Sequence, residues 1–502
     1  MPAPIAESVA PTGIPGLDDI LRGGFPRNRV YVVQGDPGSG KTTVGLQFLL
    51  AGVQAGEKVL YVTLSETAEE LTAVAASHGW SLDGVSMYYG GSAELPNAED
   101  STLFHSSEFE LEETTKPLLR EAERVNPSRA VIDSLSEIRL LSQSPLRYRR
   151  QIMALKKFFT GRQCTTIFLD EGANDGDGAN LQSIAHGILR LEQMAPVYGS
   201  ERRRLRLTKV RGVNYRGGFH DFRIETGGIV VFPRLIAAEH RATFSDSDDL
   251  LSSGIVELDG LLGGGLERGT MALLLGPAGA GKSSIATQFA SVAAKRGERV
   301  AIFAFEEGSA TLYARSKALG LSLKQQVDSG IVRVQQVDPA ELSPGEFGWL
   351  IRRAVEDDNA RVIVIDSLNG YYNSMPEEKL LSVQLHELFS YLRQRGVSVI
   401  MTLTQHGFVG PDMDVPIDVS YLADTVLLLR YFEAGGEIRK AVSVPKKRSG
   451  RHESVIRELA MNGEGLRFGP PLREFRGVLT GAPEYMGASG SLLEKEDANA
   501  RT

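Results

Sequence analysis

The sequence predicts an α/β protein built from two tandem domains, each a mostly parallel sheet with helices on both faces. Three observations support this prediction. Short apolar runs alternate with helical patterns, a glycine-rich motif occurs twice, and the residues around its first copy recur around the second. The chain has 502 residues, which is long enough for two domains that each bury their own core.

Both copies of the glycine-rich motif match the P-loop pattern G-x-x-x-x-G-K-[ST]. In such a loop the backbone N–H groups surround a triphosphate, the lysine reaches the β- and γ-phosphates, and the hydroxyl binds Mg²⁺. We therefore expect two P-loop NTPase domains with ATP and Mg²⁺ as cofactors. The predicted ATP-binding residues are Gly35, Asp36, Pro37, Gly38, Ser39, Gly40, Lys41, Thr42 and Thr43, and Gly276, Pro277, Ala278, Gly279, Ala280, Gly281, Lys282, Ser283 and Ser284.

The duplication extends beyond the two P-loops. Lys282 follows Lys41 by 241 residues, and Asp259 follows Asp18 by the same 241 residues. A period this long indicates a repeated domain, because solenoid repeats span only ~20–50 residues. A polar segment at 245–249 marks the boundary. We expect the first domain over 1–244, the second over 245–486, and a flexible tail rich in glycine, serine and charge over 487–502.

Each half reads as alternating strands and helices. Residues 29–34 form a predicted strand that leads into the first P-loop, and 42–55 form the helix after it. Continuous apolar runs at 58–64, 129–133 and 165–169 are typical of a parallel sheet covered on both faces. The other predicted strands are 203–210 and 222–232, which look antiparallel, and 271–275, 300–305, 362–365 and 397–403 in the second half.

Acidic residues follow the predicted strands at the same places in both halves. Asp133 and Asp366 each end an apolar strand, where a carboxylate can hold Mg²⁺ together with the P-loop hydroxyls of Thr42 and Ser283. The other reading of these aspartates is a strand-end Asp that bonds a turn. The sequence predicts a metal site at each P-loop.

Glutamates follow a neighbouring strand in each half. Glu306 and Glu307 end the run that begins at Ala301, and Glu66 matches Glu307, while Ser65 replaces the first acid in the first half. A carboxylate there can polarise an attacking water or hydroxyl, so all three glutamates are candidate catalytic residues. The alternative is a solvated loop position, since exposed glutamate is common.

A basic pair ends a strand late in each half. Lys209 and Arg211 lie two residues apart, as do Lys446 and Arg448, so the members of each pair point the same way from a strand. Such residues can contact a γ-phosphate across a subunit boundary, as arginine fingers do. The alternative is a solvated basic strand end.

Composition excludes several classes of protein. The net charge of −8 argues against a surface that coats nucleic acid. The single cysteine, Cys164, rules out an intrachain disulfide and a zinc site with several cysteines. No apolar run approaches the ~18 residues of a membrane span, and the N-terminal residues lack the pattern of a signal peptide. We expect a cytoplasmic protein with no membrane contact.

Taken together, these motifs resemble the KaiC family of double RecA-like ATPases, whose best-known member is a circadian-clock protein. The resemblance rests on both P-loops, the Ile-Asp-Ser segments at Asp133 and Asp366, Glu306 with Glu307, and Lys209-Val-Arg211-Gly. It implies a homohexameric double ring with ATP between subunits. The first ring chiefly hydrolyses ATP, and the second is also a serine/threonine autokinase. It further implies a partner such as a KaiB-like protein or a two-component histidine kinase or response regulator.

The resemblance also points to a phosphoacceptor in the second half. Ser420 matches the phosphorylated serine of the family, and Tyr421 replaces the neighbouring threonine. Phosphorylation of Ser420 alone is therefore expected, with Tyr421 the less favoured acceptor. A further difference between the halves is His186, which stands where Asp424 stands in the second half.

Two other functions fit parts of the sequence. A DNA-dependent ATPase of the recombinase or helicase kind shares the RecA-like core, but the acidic net charge and the lack of a basic-aromatic loop argue against it. A nucleotide-sensing ring with little catalysis is favoured by Ser65 in the first half.

Overall fold

A computed structural model describes residues 8–90, 107–142, 144–171, 178–195, 199–239, 249–373, 381–405, 421–480 and 483–487. The side chains of 107–114, 178–180, 373 and 480 are not part of this description. The chain divides into two compact units, Met1–Arg234 and Leu235–Thr502. Most of the predicted linker and tail, 245–248 and 488–502, lies outside the described residues.

The first unit is a twisted sheet with helices on both faces. Its strands are β1 Val9–Ala10, β2 Phe25–Pro26, β3 Val30–Gly35, β4 Val59–Thr63, β5 Val85–Tyr89, β6 Arg129–Asp133, β7 Thr165–Glu171, β8 Gly187–Met194, β9 Arg202–Val210, β10 His220–Glu225 and β11 Gly228–Phe232. Its helices are α1 Pro15–Leu21, α2 Lys41–Gln54, α3 Ala68–Ser77, α4 Ser107–Val125, α5 Leu135–Ser142, α6 Pro145–Gly161 and α7 Gly178–Ile184. A 3-10 turn follows at Ala237–Glu239, in the second unit.

The second unit repeats this arrangement. Its strands are β12 Leu250–Leu251, β13 Leu266–Glu267, β14 Met271–Gly276, β15 Val300–Ala304, β16 Val332–Gln336, β17 Val362–Asp366, β18 Ser398–Thr404, β19 Thr425–Ala434, β20 Glu437–Lys447, β21 Ile456–Asn462, β22 Gly465–Pro471, β23 Phe475–Arg476 and β24 Glu484–Tyr485. Its helices are α8 Val256–Leu261, α9 Lys282–Lys295, α10 Ser309–Ala318, α11 Leu323–Asp328, α12 Pro344–Glu356, α13 Leu368–Asn373 and α14 Leu381–Gln394, with a 3-10 turn at Val478–Thr480.

The two main sheets have the same topology. Among the described strands, the order is β11-β10-β9-β8-β3-β7-β6-β4-β5 in the first unit and β22-β21-β20-β19-β14-β18-β17-β15-β16 in the second. The strands from β8 to β5 are parallel, whereas β9, β10 and β11 are antiparallel. The fold prediction is confirmed: two α/β units, each with a mostly parallel sheet.

Burial explains why the parallel strands read as continuous apolar runs. Every residue of β3 and β4 is buried, because helices cover both faces of the sheet. One core lies between the sheet and α2 and includes Phe48 and Val131, and another lies on the opposite face and includes Phe159 and Leu60. In each unit a P-loop joins the central strand to a buried helix, which places the site at the carboxyl edge of the sheet.

Candidate nucleotide site

The last glycine of each P-loop precedes the next helix, and its backbone conformation determines where that helix begins. Gly40 and Gly281 precede α2 and α9 with φ of 97° and 110°, in the left-handed region that favours glycine. A Cβ added to Gly40 would lie 2.8 Å from Cδ1 of Ile224. Neither helix has a side-chain hydrogen bond at its N-cap, so its first N–H groups are left to bind an anion.

The P-loop lysines lie folded over their own loops. Nζ of Lys41 donates to the carbonyl oxygens of Gly35 and Asp36 at 2.7 and 3.0 Å. Nζ of Lys282 donates to those of Gly276 and Pro277, both at 2.8 Å. Burial lowers the pKa of Lys282 to about 8 against the opposing effects of Asp366 and Glu306. A cation held inside a ring of backbone amides is suited to a polyphosphate.

The predicted metal-binding residues meet in both units. Oγ1 of Thr42 donates to Oδ2 of Asp133 at 3.0 Å, and Oγ of Ser283 donates to Oδ1 of Asp366 at 3.1 Å. Hydroxyl and carboxylate oxygens are the hard ligands that Mg²⁺ prefers, and it usually binds one or two protein groups together with phosphate oxygens. The residues present fit a Mg²⁺ ion at each P-loop.

A hydroxyl from a neighbouring strand orients each of these aspartates. Tyr61, on β4, donates to Oδ2 of Asp133 at 2.6 Å, whereas Thr402, on β18, donates to Oδ1 of Asp366. The supporting hydroxyl therefore comes from opposite sides in the two units: from β4, on one side of β6, in the first, and from β18, on the other side of β17, in the second. Sequence reasoning missed both residues, because each lies inside an apolar run that signals only a buried strand.

In the first unit Glu66 lies in a partly buried place. Among the described residues, its Oε2 atom is buried and has no hydrogen-bond partner. Burial, with smaller contributions from Asp133 and Glu70, raises the pKa of Glu66 to about 7, against the effect of Lys41. A carboxyl group with a pKa near neutrality is suited to accept a proton from water.

In the second unit the two adjacent glutamates have different partners. Glu306 accepts a hydrogen bond from Oγ of Ser367, the residue after Asp366. Glu307 accepts two hydrogen bonds from Arg315, at 3.2 and 2.7 Å. Both carboxylates line a cavity of about 440 Å³ together with Lys282, Ser283 and Asp366. The structure therefore places Glu306 beside Ser367 and near Asp366, the predicted metal-binding aspartate, and pairs Glu307 with Arg315, a residue that sequence reasoning missed.

Glu171 is a further acid at the first P-loop that sequence reasoning missed. It ends β7 and pairs in register with Gly35 of β3. Burial lowers the pKa of Lys41, and the charge of Glu171 opposes this effect more than the charge of Asp133 does. Its counterpart beside Gly276 is Thr404. The signal available in the sequence was the pair of acids, Asp170 and Glu171, that follows the apolar run 165–169.

The basic pairs lie at the opposite edge of the sheet from their own P-loop. The backbone N–H of Arg211 donates to His186, whose own N–H donates to Val30 at the start of β3. The second unit repeats this chain of bonds from Arg448 through Asp424 to Met271 at the start of β14. The central strands are six residues long, so each pair lies about 17 Å from its own P-loop along the strand.

The side chains of these basic residues bind their own chain. Nζ of Lys209 donates to the carbonyl oxygens of Gln182 and Ala185 at 2.6 and 3.0 Å, and Arg211 donates to that of Ser183 at 3.0 Å. Burial, followed by the charges of Arg211 and Lys156, lowers the pKa of Lys209. In the second unit Lys446 lies on β20 in register with Val426.

The predicted phosphoacceptor Ser420 lies outside the described residues. Tyr421 is described, and its side chain is exposed. Its carbonyl oxygen accepts a hydrogen bond from Arg448 at 2.6 Å. Tyr421, the residue after the predicted acceptor, therefore contacts one residue of the second basic pair.

The fold and the two P-loop sites define a tandem P-loop ATPase with RecA-like domains. The family model for the KaiC ATPase matches residues 10–236 and 251–473. The chain therefore belongs to the KaiC ATPase family, as the sequence motifs predicted, and it is a KaiC-like ATPase that binds ATP.

Curated relatives match along nearly the whole chain. The circadian clock oscillator protein KaiC of Thermostichus vulcanus is 27% identical over 487 residues, which cover 94% of this chain and 91% of the relative. The circadian clock protein KaiC3 of Synechocystis sp. is 27% identical over 488 residues, or 95% of each chain. The KaiC of Acaryochloris marina is 27% identical over 500 residues, which cover 97% and 92%. In the part of the chain that the structure describes, no helix is long and apolar enough to cross a membrane.

Proposed function

We propose that this chain forms a homohexameric double ring that hydrolyses ATP at both P-loops and transfers phosphate to Ser420 of the second unit. The observation that carries this proposal is the position of the basic pairs. Each lies about 17 Å from its own P-loop, at the far edge of the sheet. Residues so placed can contact phosphate only at the site of a neighbouring subunit.

Each site contains groups for binding, activation and charge stabilisation. The P-loop amides and lysine bind the triphosphate. The Thr42–Asp133 and Ser283–Asp366 pairs would hold Mg²⁺, which neutralises charge between the β- and γ-phosphates. Glu66 in the first unit and Glu306 in the second would accept the proton of the attacking water or hydroxyl. The remaining glutamate, Glu307, is a second candidate, and its ion pair with Arg315 makes it the weaker one.

Transfer to Ser420 is the step that distinguishes a kinase from a hydrolase. The serine hydroxyl of the phosphoacceptor replaces water as the nucleophile, and its proton passes to a glutamate while the γ-phosphoryl group leaves ADP. Support comes from the match of Ser420 to the family's phosphorylated serine and from the contact of Arg448 with Tyr421. We further propose that the phosphorylated ring is read by a partner, either KaiB-like or a two-component kinase or regulator, in the cytoplasm.

Peptide mass spectrometry after incubation with Mg·ATP tests the kinase proposal. We expect a phosphate on Ser420 in the wild-type chain and in Lys41→Ala, and its loss in Lys282→Ala, because the second P-loop supplies it. Phosphate on Tyr421 would move the acceptor by one residue. ATP hydrolysis without any phosphopeptide would contradict the kinase and leave a two-ring ATPase.

A second candidate is a ring in which the first site binds ATP with little hydrolysis. The observation that favours it is Ser65, since the first unit has one glutamate where the second has two. Unchanged total turnover in Glu66→Gln, together with lost turnover in Glu306→Gln, would support this candidate. Strong stimulation of the ATPase by single-stranded DNA would instead favour a recombinase-like enzyme.

A further inference from the structure

His186 and Asp424 occupy the same place in the two units but differ in charge. The N–H of His186 donates to the carbonyl of Val30 at 2.9 Å, and its Nδ1 accepts from the N–H of Val30 at 3.1 Å. Likewise, the N–H of Asp424 donates to Met271 at 2.8 Å, and its Oδ2 accepts from the N–H of Met271 at 3.0 Å. The backbone role is therefore shared, while only the second unit has a carboxylate here.

The carboxylate of Asp424 binds two arginines. Arg393 donates to both of its oxygens, at 2.9 and 2.7 Å, and Nη1 of Arg448 lies 3.4 Å from Oδ1. The Asp424 side chain is only 8% exposed, whereas that of Arg448 is 47% exposed. Since Arg448 also donates to the carbonyl of Tyr421, it is held by a charged and a neutral acceptor of its own chain.

At the matching place among its described residues, the first unit has no such ion pair. Arg211 donates to a neutral carbonyl, that of Ser183, at 3.0 Å. The position that matches Arg393 is Thr160, 233 residues earlier, the same interval that separates Asp366 from Asp133. Burial, Lys156 and Arg29 lower the pKa of His186 to about 4, so its ring is neutral at pH 7. Compared with the second unit, the first therefore has a neutral residue in place of both the anion, Asp424, and its partner cation, Arg393.

We propose that Asp424 is a positioning residue that holds Arg448 on its own chain and so reduces its contact with the nucleotide of a neighbouring subunit. This inference rests on the proposed function, in which Arg211 and Arg448 act across the subunit boundary. To reach the neighbour's γ-phosphate, Arg448 must leave a carboxylate, whereas Arg211 leaves only a carbonyl. The second ring therefore hydrolyses ATP more slowly than it would if Arg448 were not held by Asp424.

The size of the effect follows from the exposure of the pair. Ion pairs in which one partner is about half exposed contribute little, and their loss corresponds to a change of about 1.5- to 5-fold in an equilibrium or rate. The expected effect is in kcat, because an arginine finger stabilises charge in the transition state.

The proposal is tested by exchanging Asp424 and Arg393 of the second unit for the residues at the matching positions of the first, His186 and Thr160, and the reverse. In a Lys41→Ala background, Asp424→His with Arg393→Thr gives the second unit the arrangement of the first. We expect kcat of the second site to rise about 1.5- to 5-fold with KM unchanged. In a Lys282→Ala background, His186→Asp with Thr160→Arg should lower kcat of the first site by a similar factor. Asp424→Asn, which keeps an acceptor for Met271, serves if the histidine variant does not assemble.

The effect must depend on Arg448. With Arg448→Ala present, exchanging Asp424 should no longer change kcat. A rise that persists without Arg448, or no rise with it present, would overturn the proposal. If Arg448→Ala alone leaves kcat unchanged, the failure lies instead in the proposed role of Arg448 across the subunit boundary. Thermal unfolding and ring size by light scattering confirm that each variant is folded.

Discussion

At the residue scale, the two units place their candidate bases in different surroundings. Glu66 is partly buried without a described partner for Oε2, whereas Glu306 accepts from Ser367 and Glu307 is paired with Arg315. Desolvation disfavours the charged form of Glu66, so its proton is held more tightly than on a solvated glutamate. The two sites should therefore respond differently to pH.

The first site should gain activity as pH rises through neutrality. A base must be ionised to accept a proton, and the pKa of Glu66 is about 7, so its ionised fraction grows between about pH 6 and 8. In a Lys282→Ala background we expect kcat to rise over this interval. Glu66→Gln should lower kcat by about 10²- to 10⁴-fold and flatten the profile. The exposed Glu69→Gln is the control, and an unaltered profile in Glu66→Gln would exclude Glu66 as the base.

The hydroxyls that orient the metal-binding aspartates should affect one site each. Tyr61→Phe removes the hydrogen bond to Asp133 with little change of shape, and Thr402→Val removes the one to Asp366. Groups that orient metal ligands are typically worth about 10- to 100-fold in metal affinity or activity. We expect Tyr61→Phe to raise the half-saturating Mg²⁺ concentration of the first site only, and Thr402→Val that of the second only, measured in Lys282→Ala and Lys41→Ala backgrounds. Effects at both sites from either change would contradict the assignment.

At the element scale, one buried cation connects several elements of the first unit. Arg129, at the start of β6, is fully buried and donates to Glu57 at 2.7 Å and to the carbonyl of Phe48 in α2 at 3.0 Å. Glu57 also pairs with Arg27 at 2.6 Å. Despite burial, which acts in the opposite direction, the hydrogen bonds from Arg129 and Arg27 lower the pKa of Glu57 to about 2. This network holds the start of β6 against α2 and against Glu57, which follows that helix.

Removing this cation should destabilise the first unit. Arg129→Met leaves Glu57 with Arg27 alone and removes the hydrogen bonds that Arg129 donates to the carbonyls of Pro11 and Phe48, which costs about 3 kcal/mol. The exposed pair Arg333–Asp358 is the control, since Arg333→Ala should cost at most about 1 kcal/mol. Because the folded pKa of Glu57 is depressed, its contribution is present above the usual pKa of 4.5 and is lost as pH falls toward 2. Denaturant unfolding at neutral pH and at about pH 3 measures both effects. Equal losses in the free energy of unfolding of Arg129→Met and Arg333→Ala would show that the buried network stabilises the protein no more than an exposed ion pair does.

At this scale, some features of the fold and site could be predicted from the sequence and others could not. The P-loops, the strands before them and the strand-end acids Asp133 and Asp366 are local patterns, so the sequence reveals them directly. Tyr61 and Thr402 act through contacts between neighbouring strands, whose register follows only from the folded sheet. Arg315 lies in α10 and reaches back to Glu307, before the helix begins. Arg129 reads as an ordinary strand end, because nothing local shows that Glu57 will meet it.

At the scale of the whole molecule, the same topology carries two unlike sites. The first unit combines Ser65 and Glu66 with Glu171 and a neutral His186, and the second combines Glu306 and Glu307 with Asp424. The two units thus differ in their acids and in what holds the basic pair, as the proposed function, with a separate task for each ring, would require. The same proposal expects each site to be completed by a neighbouring subunit.

Mixing two inactive variants tests that completion. One chain carries Lys41→Ala and Lys282→Ala, which spoil both P-loops but keep the basic pairs. The other carries Arg211→Ala and Arg448→Ala, which keep the P-loops but lose the arginines. Each alone should have little ATPase activity. In equal mixture, about one interface in four joins an intact P-loop to an intact arginine, so we expect about a quarter of the wild-type rate. The roughly 17 Å of central strand between Arg448 and its own P-loop is the reason for this expectation. Mixed rings with no more activity than the separate variants would contradict it.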